Sequence, residues 1–224
     1  MTDPPDLNSE SSLRQEGIVE LSHDREVAWG VSAQAKPGEH VSGDLHVIEA
    51  FDNGILIGAI DGLGHGPEAA RCAALARAEL AVNPGRPLDV LVKACHQALV
   101  GSRGVVLTLA RLLLSPMELT WLSVGNVDGM LLRAKGQRLF PVQRAVLRGG
   151  VVGYQLPLLR PEVVRLQPND LLVLATDGVR IESSAEHSRP QSPRALADVL
   201  LADGSTRTDD SLVVVAKYLD EFQS

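Results

Sequence analysis

Residues 54–66 read GILIGAIDGLGHG, the strongest fold signal in the sequence. It opens with an apolar run of strand length, which Asp61 and the glycines after it bring to an end. An isolated charge is costly to bury, so a carboxylate at the end of a core strand should be solvated, paired or bound to a cation. The stretch therefore predicts a buried strand that delivers Asp61 to the edge of a sheet.

The flanking sequence predicts a strand before this stretch and helices after it. Residues 44–50 have strand character and reach the core strand through an Asp-Asn-Gly turn at 52–54. Apolar residues recur at helical spacing over 66–82, where Pro67 and Glu68 suit the first helical turn. A second helix is predicted at 88–99.

The rest of the chain returns to strands, with one further helix. The predicted helix is 194–201, and the predicted strands are 27–34, 105–114, 118–124, 129–133, 163–167, 170–176 and 212–217. Two helices inserted together between runs of strands are typical of antiparallel sheets covered by helices, rather than of a parallel sheet. The predicted fold class is α+β.

Composition limits the function classes. The 224 residues, 45% apolar and 22% charged, suit one soluble globular domain at 17–224, preceded by a polar, loose tail at 1–16. With 21 basic against 28 acidic residues, the net charge of −7 disfavours nucleic-acid binding. No apolar run approaches the roughly 20 residues of a membrane helix, and the N-terminus does not resemble a secretory signal. We therefore expect no membrane contact and a cytoplasmic location.

Acidic residues recur where the predicted strands begin or end: Asp44, Asp61, Asp177 and the pair Asp209 and Asp210. One Asp-Gly sequence is most often only a turn. Four such positions at strand ends instead favour a shared cation. Carboxylate, carbonyl and water oxygens are the ligands of Mg²⁺ or Mn²⁺, whereas no Cys or His cluster has the spacing of a zinc site.

The acidic residues lie within a series of short motifs spread along the chain. The motifs are VSGD at 41–44, DGLGHG at 61–66, RGVVLT at 103–108, WLSVGN at 121–126, GVVGYQLP at 150–157, ATDG at 175–178 and DDSLVVV at 209–215. Taken together, these motifs resemble the metal-dependent type 2C (PPM) protein phosphatases, in their bacterial SpoIIE/RsbU/RsbX branch. The resemblance covers about residues 27–218, and within the branch the RsbX type is most similar. It implies a four-layer α-β-β-α sandwich of two antiparallel sheets flanked by helices, with a site for two metal ions between the sheets at one edge.

The resemblance also implies a role for each acidic residue. Asp61 would bridge the two ions and the Gly62 carbonyl would bind one of them. Asp177 and Asp209 would bind the other, with Asp210 taking the place of Asp209 if the register slips by one. Asp44 would complete the ring, directly or through water.

Two further positions bear on the mechanism. His65 is either the acid that protonates the leaving oxygen or simply part of the turn that starts the following helix. Asn126 stands where many members of the family have an aspartate for a third ion, so a third site is not expected. No cysteine or serine nucleophile is needed, because two dications can activate water.

The function implied by the resemblance is that of a Mn²⁺- or Mg²⁺-dependent protein serine/threonine phosphatase. Its expected substrates are phosphorylated STAS-domain proteins of a stressosome, RsbS-like or RsbR-like, and the chain is expected to act as a monomer. One alternative is an RsbU-like or SpoIIE-like phosphatase of an anti-anti-sigma factor. Another, from a different class, is a catalytically silent binding module with the same fold.

Overall fold

Two antiparallel β-sheets and three helices make up the part of the chain that the computed structural model describes, residues 12–22, 25–181, 187–188 and 192–220. The helices are α1 Gly66–Val82, α2 Leu88–Leu99 and α3 Pro193–Gly204. The strands are β1 Ser12–Ser22, β2 Arg25–Gln34, β3 Asp44–Phe51, β4 Gly54–Gly62, β5 Val105–Leu113, β6 Glu118–Val124, β7 Asp128–Lys135, β8 Arg138–Arg144, β9 Glu162–Arg165, β10 Leu171–Ala175, β11 His187–Ser188 and β12 Ser211–Asp220.

The smaller sheet has the strand order β3-β4-β5-β6-β9, and the larger has the order β1-β2-β12-β10-β7-β8-β11. Neighbouring strands in both sheets run antiparallel. The chain enters the larger sheet, builds most of the smaller one, and then returns, so that β12 lies between β2 and β10. The last strand in the sequence, β12, therefore lies beside β2, which is far away from it in sequence.

The central strands of each sheet bury side chains on both faces, because successive side chains point to opposite faces and each face is covered. In β4, Ile55, Ile57 and Ala59 pack between the sheets, whereas Leu56 and Ile60 pack against α1 and α2. In β12, alternate residues pack between the sheets or against α3. The order of layers is helices, small sheet, large sheet, helix, which confirms the predicted four-layer α-β-β-α sandwich.

The structure corrects the prediction at the N-terminus. Residues 12–16, assigned from their polarity to a tail, belong to β1, which pairs with β2 along its length. Most β1 side chains are exposed, so backbone hydrogen bonds hold this edge strand and hydropathy carries little signal. Residues 1–11 of the predicted tail lie outside the described residues.

A second difference follows β7. The polar stretch after residue 133 was not predicted as regular structure, yet β8 pairs there with β7 across a bulge. Both predicted helices that follow the core strand, 66–82 and 88–99, match the observed bounds. Within the described ranges, no helix combines the length and apolarity needed to cross a membrane.

Candidate metal centre

Asp61 and Asp44 face each other at one edge of the smaller sheet. Alternation along β4 places Asp61 on the same face as Ile57 and Ala59, which pack between the sheets. Asp44 is the first residue of β3 and pairs with Asp61 in the antiparallel register. The two carboxylates therefore extend the inter-sheet core to its rim, where the two sheets meet.

The larger sheet supplies acidic residues at the same rim. β10 ends at Ala175, and the Thr176 hydroxyl that follows donates to Asp44 Oδ2 over 2.6 Å. Asp177 comes next, and its Oδ2 accepts from the Asn126 side-chain amide at 2.8 Å. Asp209 and Asp210 immediately precede β12, the neighbour of β10. The predicted acidic residues thus come to one edge from both sheets.

The two residues of the Asp209-Asp210 pair have different surroundings. Asp210 is 4% exposed, and its two carboxylate oxygens accept from the backbone N–H groups of Lys36 and Gly43, each at 2.8 Å. Asp209 is half-buried and has one recorded donor, the Asp210 backbone N–H at 3.0 Å. Asp210 therefore holds the loop before Asp44 against the start of β12. The Asp209 carboxylate accepts fewer hydrogen bonds, so its oxygens are more available to bind a cation.

Close backbone approaches hold this rim together at two glycines. A Cβ on Gly62 would lie 2.1 Å from the carbonyl oxygen of Ala69, and one on Gly178 would lie 1.8 Å from that of Asp210. Neither position accommodates a side chain without moving backbone. The glycines after Asp61 and Asp177 therefore let α1 and β12 close directly onto the strand ends that carry the carboxylates.

The acidic residues at the rim are close enough to raise the pKa of one another's carboxyl groups. Burial raises the pKa of the Asp61 carboxyl to about 7, and repulsion by the acidic residues at 177, 209 and 210 adds to the rise. Burial and then repulsion by Asp61 also raise the pKa of the Asp44 carboxyl, which is 4% exposed, well above its usual range. The Thr176 hydrogen bond acts in the opposite direction on Asp44. Such a cluster needs cations when it is ionised.

The donor set at the rim fits hard dications. Two oxygens come close together at Gly43: a Cβ built there would stand 3.2 Å from Asp210 Oδ2 and 3.3 Å from the Gly62 carbonyl oxygen, besides 2.8 Å from the Ala69 methyl group. Carboxylate and carbonyl oxygens around buried negative charge are the chemistry that Mg²⁺ and Mn²⁺ prefer. In the described residues, however, no three acidic, histidine or cysteine side chains are already placed around one common point. Ion binding would therefore have to draw these carboxylates together.

His65 follows Asp61 by four residues and is more exposed than Asp61. Its side chain is 50% exposed, and its Nδ1 is 2.6 Å from Glu39 Oε1. An ionised carboxylate only accepts hydrogen bonds, so Nδ1 carries the proton and Nε2 remains for other partners. His65 is also the residue before α1, but its side chain does not cap the helix. The structure thus gives His65 a partner of its own, apart from the turn.

Two side-chain hydrogen bonds to the predicted acidic residues were not foreseen. Thr176 and Asn126 each bind one of the predicted acidic residues, Asp44 and Asp177. For Thr176 a signal exists in the sequence, because strand alternation from Leu172 and Leu174 puts it on the inter-sheet face. Asn126 was seen only as a missing aspartate, and nothing in the sequence indicates that its amide binds Asp177.

The family model of stage II sporulation protein E (SpoIIE) matches residues 52–219, about three quarters of the chain. The chain belongs to the SpoIIE family. Phosphoserine phosphatase RsbX of Bacillus subtilis strain 168 is 19% identical to this SpoIIE-family chain over 201 residues, covering 89% of the chain and 99% of RsbX.

Solved structures have the same fold as this SpoIIE-family chain. A crystal structure of RsbX in complex with magnesium has a TM-score of 0.75 at 18% identity, covering 91% of this chain and all of that one. A chain from a study of the bacterial stressosome, as a modular system adapted to control secondary messenger signalling, has a TM-score of 0.74 at 28% identity, with 85% and 98% covered. The catalytic domain of the serine/threonine phosphatase PstP with two manganese ions has a TM-score of 0.62 at 18% identity, with 88% and 100% covered.

These matches confirm three predictions made from the sequence. The fold is that of the PPM phosphatases, the family is SpoIIE, and the enzyme class is that of the phosphoprotein phosphatases. The matched range begins at residue 52, after Asp44. It is the pairing of β3 with β4 that places Asp44 beside Asp61.

Proposed function

We propose that this SpoIIE-family chain is a Mn²⁺- or Mg²⁺-dependent phosphatase that removes phosphate from phosphoserine or phosphothreonine in STAS-domain proteins of a stressosome. The observation that carries the proposal is the acidic rim, where Asp44 and Asp61 of one sheet meet the acidic residues that follow β10 and precede β12 of the other. Two bound ions would supply a hydroxide near neutral pH and offset the charge of the phosphoryl group.

The residues at the rim have different proposed roles, as ion ligands or as groups that position those ligands. In this proposal Asp61 would contact both ions. The Gly62 carbonyl oxygen would bind one of them, and Asp177 and Asp209 would bind the other. Asp44 is fixed by Thr176 and completes the acidic ring. Asn126 orients Asp177 through its amide. Asp210, whose oxygens already accept two backbone donors, positions the loop that leads into Asp44.

His65 is the group proposed to protonate the leaving serine or threonine oxygen. The Glu39 carboxylate accepts from Nδ1 and fixes the ring, so that Nε2 is the atom that would hold and deliver the proton. The ring is half exposed at the entrance of the site, where a protein substrate would approach. A role restricted to the turn before α1 would not require the contact with Glu39.

The substrate proposal rests on similarity to particular relatives. RsbX, a phosphoserine phosphatase, aligns over almost its whole length, and the chain from the stressosome study shares 28% identity. From these we infer RsbS-like or RsbR-like phosphoproteins as substrates, a single catalytic domain that includes β1 from residue 12, and action as a monomer. The free, buried thiols of Cys72 and Cys95 suit the reducing cytoplasm, where we place the protein.

The direct test is release of phosphate by the purified full chain from a phosphorylated STAS-domain stressosome protein, with Mn²⁺ and with chelator. We expect Mn²⁺-dependent release that Asp61→Asn abolishes. Asp52→Asn, at the exposed tip of the β3–β4 hairpin, is the matched control and should keep the wild-type rate. Equal rates for wild type and Asp61→Asn would overturn the proposal.

The match to the SpoIIE model supports a second candidate, a phosphatase of a phosphorylated anti-anti-sigma factor. Measuring kcat/KM on both phosphoproteins side by side separates the two, and a higher value for the anti-anti-sigma factor would favour the second. A catalytically silent binding module would bind no Mn²⁺ and would release no phosphate. Mn²⁺ would therefore leave its melting temperature unchanged.

A further inference from the structure

A groove of about 360 Å³ opens beside Asp209, between the end of β2 and the loop that leads into β12. Gln34 and Ala35 line one side, and Ser205, Arg207 and Asp209 line the other. The lining residues are mostly polar. Because Asp209 belongs to the acidic rim as well as to this groove, the groove leads from the proposed metal centre to the protein surface.

Arg207 stands out in this loop because of its backbone. Its φ is +56°, in the left-handed region, which disfavours residues other than glycine because Cβ comes too close to the following carbonyl oxygen. Asn169 is the other non-glycine residue with positive φ in the described part of the chain, and asparagine tolerates this region much better. Strained backbone is commonly retained where the side chain serves a function.

The Arg207 side chain is exposed, and the described residues provide it with no ion pair and no side-chain hydrogen bond. Its backbone N–H is bound to the Ser205 hydroxyl at 3.3 Å, so the loop itself is held in place. The strained position therefore presents a cation to the groove that no internal contact explains.

We propose that this groove receives the polypeptide that flanks the phosphoserine of the substrate, and that Arg207 binds an acidic side chain of that segment. The inference rests on the proposed phosphatase function and adds a determinant of substrate choice. Arg207 and Asp209 are two positions apart, and two residues of chain span at most about 7 Å. A substrate side chain about two positions from the phosphoserine is separated from it by a similar distance. Such a side chain therefore lies within reach of Arg207 when the phosphoryl group is at the ions beside Asp209.

Charge favours an acidic occupant. Ions bound at the rim would offset the Asp209 carboxylate, which leaves Arg207 to set the charge of the groove. The guanidinium group offers paired N–H donors that match the two oxygens of a carboxylate. An acidic residue near the phosphoserine would thus gain both attraction and directed hydrogen bonds.

The test uses two phosphoserine peptides that differ only in flanking residues, one with aspartate and glutamate and one with alanine, assayed with Mn²⁺ and the full chain. Wild type should prefer the acidic peptide in kcat/KM by about threefold to fivefold, the range of an exposed ion pair. Arg207→Gly should remove the preference, and Arg207→Lys should keep part of it. No hydrolysis of either peptide by wild type would contradict the proposed function itself, whereas equal hydrolysis of both would overturn only the present inference.

Folding provides the matched control. Glycine relieves a positive φ, so Arg207→Gly should keep or raise the melting temperature, by about 2 °C or less. Asn169→Gly makes the same kind of change in the turn before β10, at the far end of that strand from Asp177, and should keep the peptide preference. If Arg207→Gly lowers the melting temperature, or slows both peptides equally, Arg207 is structural or contacts the phosphoryl group, and the proposal is overturned.

Discussion

The Thr176 hydroxyl donates to Asp44 Oδ2 over 2.6 Å and so ties the two sheets together at the metal-binding edge. The Thr176 hydroxyl oxygen also accepts a hydrogen bond from the Leu212 backbone N–H at 2.9 Å, which adds β12 to the connection. One buried hydroxyl therefore positions a carboxylate of the smaller sheet relative to two strands of the larger one.

Replacing this hydroxyl should weaken both stability and ion binding. Thr176→Val leaves the Leu212 N–H and the Asp44 carboxylate without a partner, at a cost of about 2 kcal/mol in the free energy of unfolding. Thr176→Ser retains the hydroxyl and should stay close to wild type. Urea unfolding and Mn²⁺ titration of both variants measure the two effects. If valine and serine behave alike, the hydroxyl does not position Asp44.

The two neighbouring aspartates before β12 should separate in function. Asp209→Asn removes a proposed ion ligand and should lower Mn²⁺ affinity by at least about tenfold, with little change in the stability of the metal-free chain. Asp210→Asn places an amide where two backbone N–H groups point, and should cost about 1–3 kcal/mol of stability. Calorimetric Mn²⁺ binding and urea unfolding decide the assignment, and the reverse pattern would exchange the two roles.

The raised pKa of Asp61 predicts how stability depends on pH. The folded-state pKa of about 7 exceeds the ordinary aspartate value of 3.8, so the folded chain binds more protons than the unfolded chain between these values. The stabilising contribution is complete below about pH 4 and is lost as the pH rises through 7. Chelator-treated wild type should lose about 2 kcal/mol relative to Asp61→Asn between pH 5 and pH 8. A constant difference between the two proteins across this range would contradict the assigned environment.

The leaving group provides a test of His65. An acid matters most when the leaving oxygen is a poor leaving group, so His65→Asn should lower kcat for a phosphoserine protein by about 100-fold or more. p-Nitrophenyl phosphate, whose product leaves without a proton, should be much less affected. Glu39→Gln should give a smaller loss in the same direction, because it removes only the partner of Nδ1. Equal losses on both substrates would assign His65 to the turn alone.

Position 178 requires glycine because the backbone at Asp210 packs directly against it. A Cβ there would meet the Asp210 carbonyl oxygen at 1.8 Å, so Gly178→Ala should displace the start of β12 and cost about 3 kcal/mol or more. Gly149 is exposed and has no atom within 4 Å of the corresponding position, so Gly149→Ala should stay within about 0.5 kcal/mol. Thermal unfolding of both variants tests the difference.

Strong local signals made part of this structure predictable. The run that ends at Asp61 and the alanine-rich helix after it follow from apolar spacing, and the bounds of α1 match those predicted. β1 was missed because its pairing with β2 is a backbone interaction between residues with mostly exposed side chains. The contact between Asn126 and Asp177 joins residues 51 positions apart, and no local pattern encodes it.

The acidic rim has a further consequence for biosynthesis. Its carboxylates begin at residue 44 and end at residue 210, directly before the last strand of the fold. A nascent chain that still lacks β12 has no strand to hold Asp209 and Asp210 at the rim, and it has no Leu212 N–H to bind the Thr176 hydroxyl. Catalytic competence should therefore arise only when synthesis is nearly finished, so that an incompletely translated chain has no phosphatase activity.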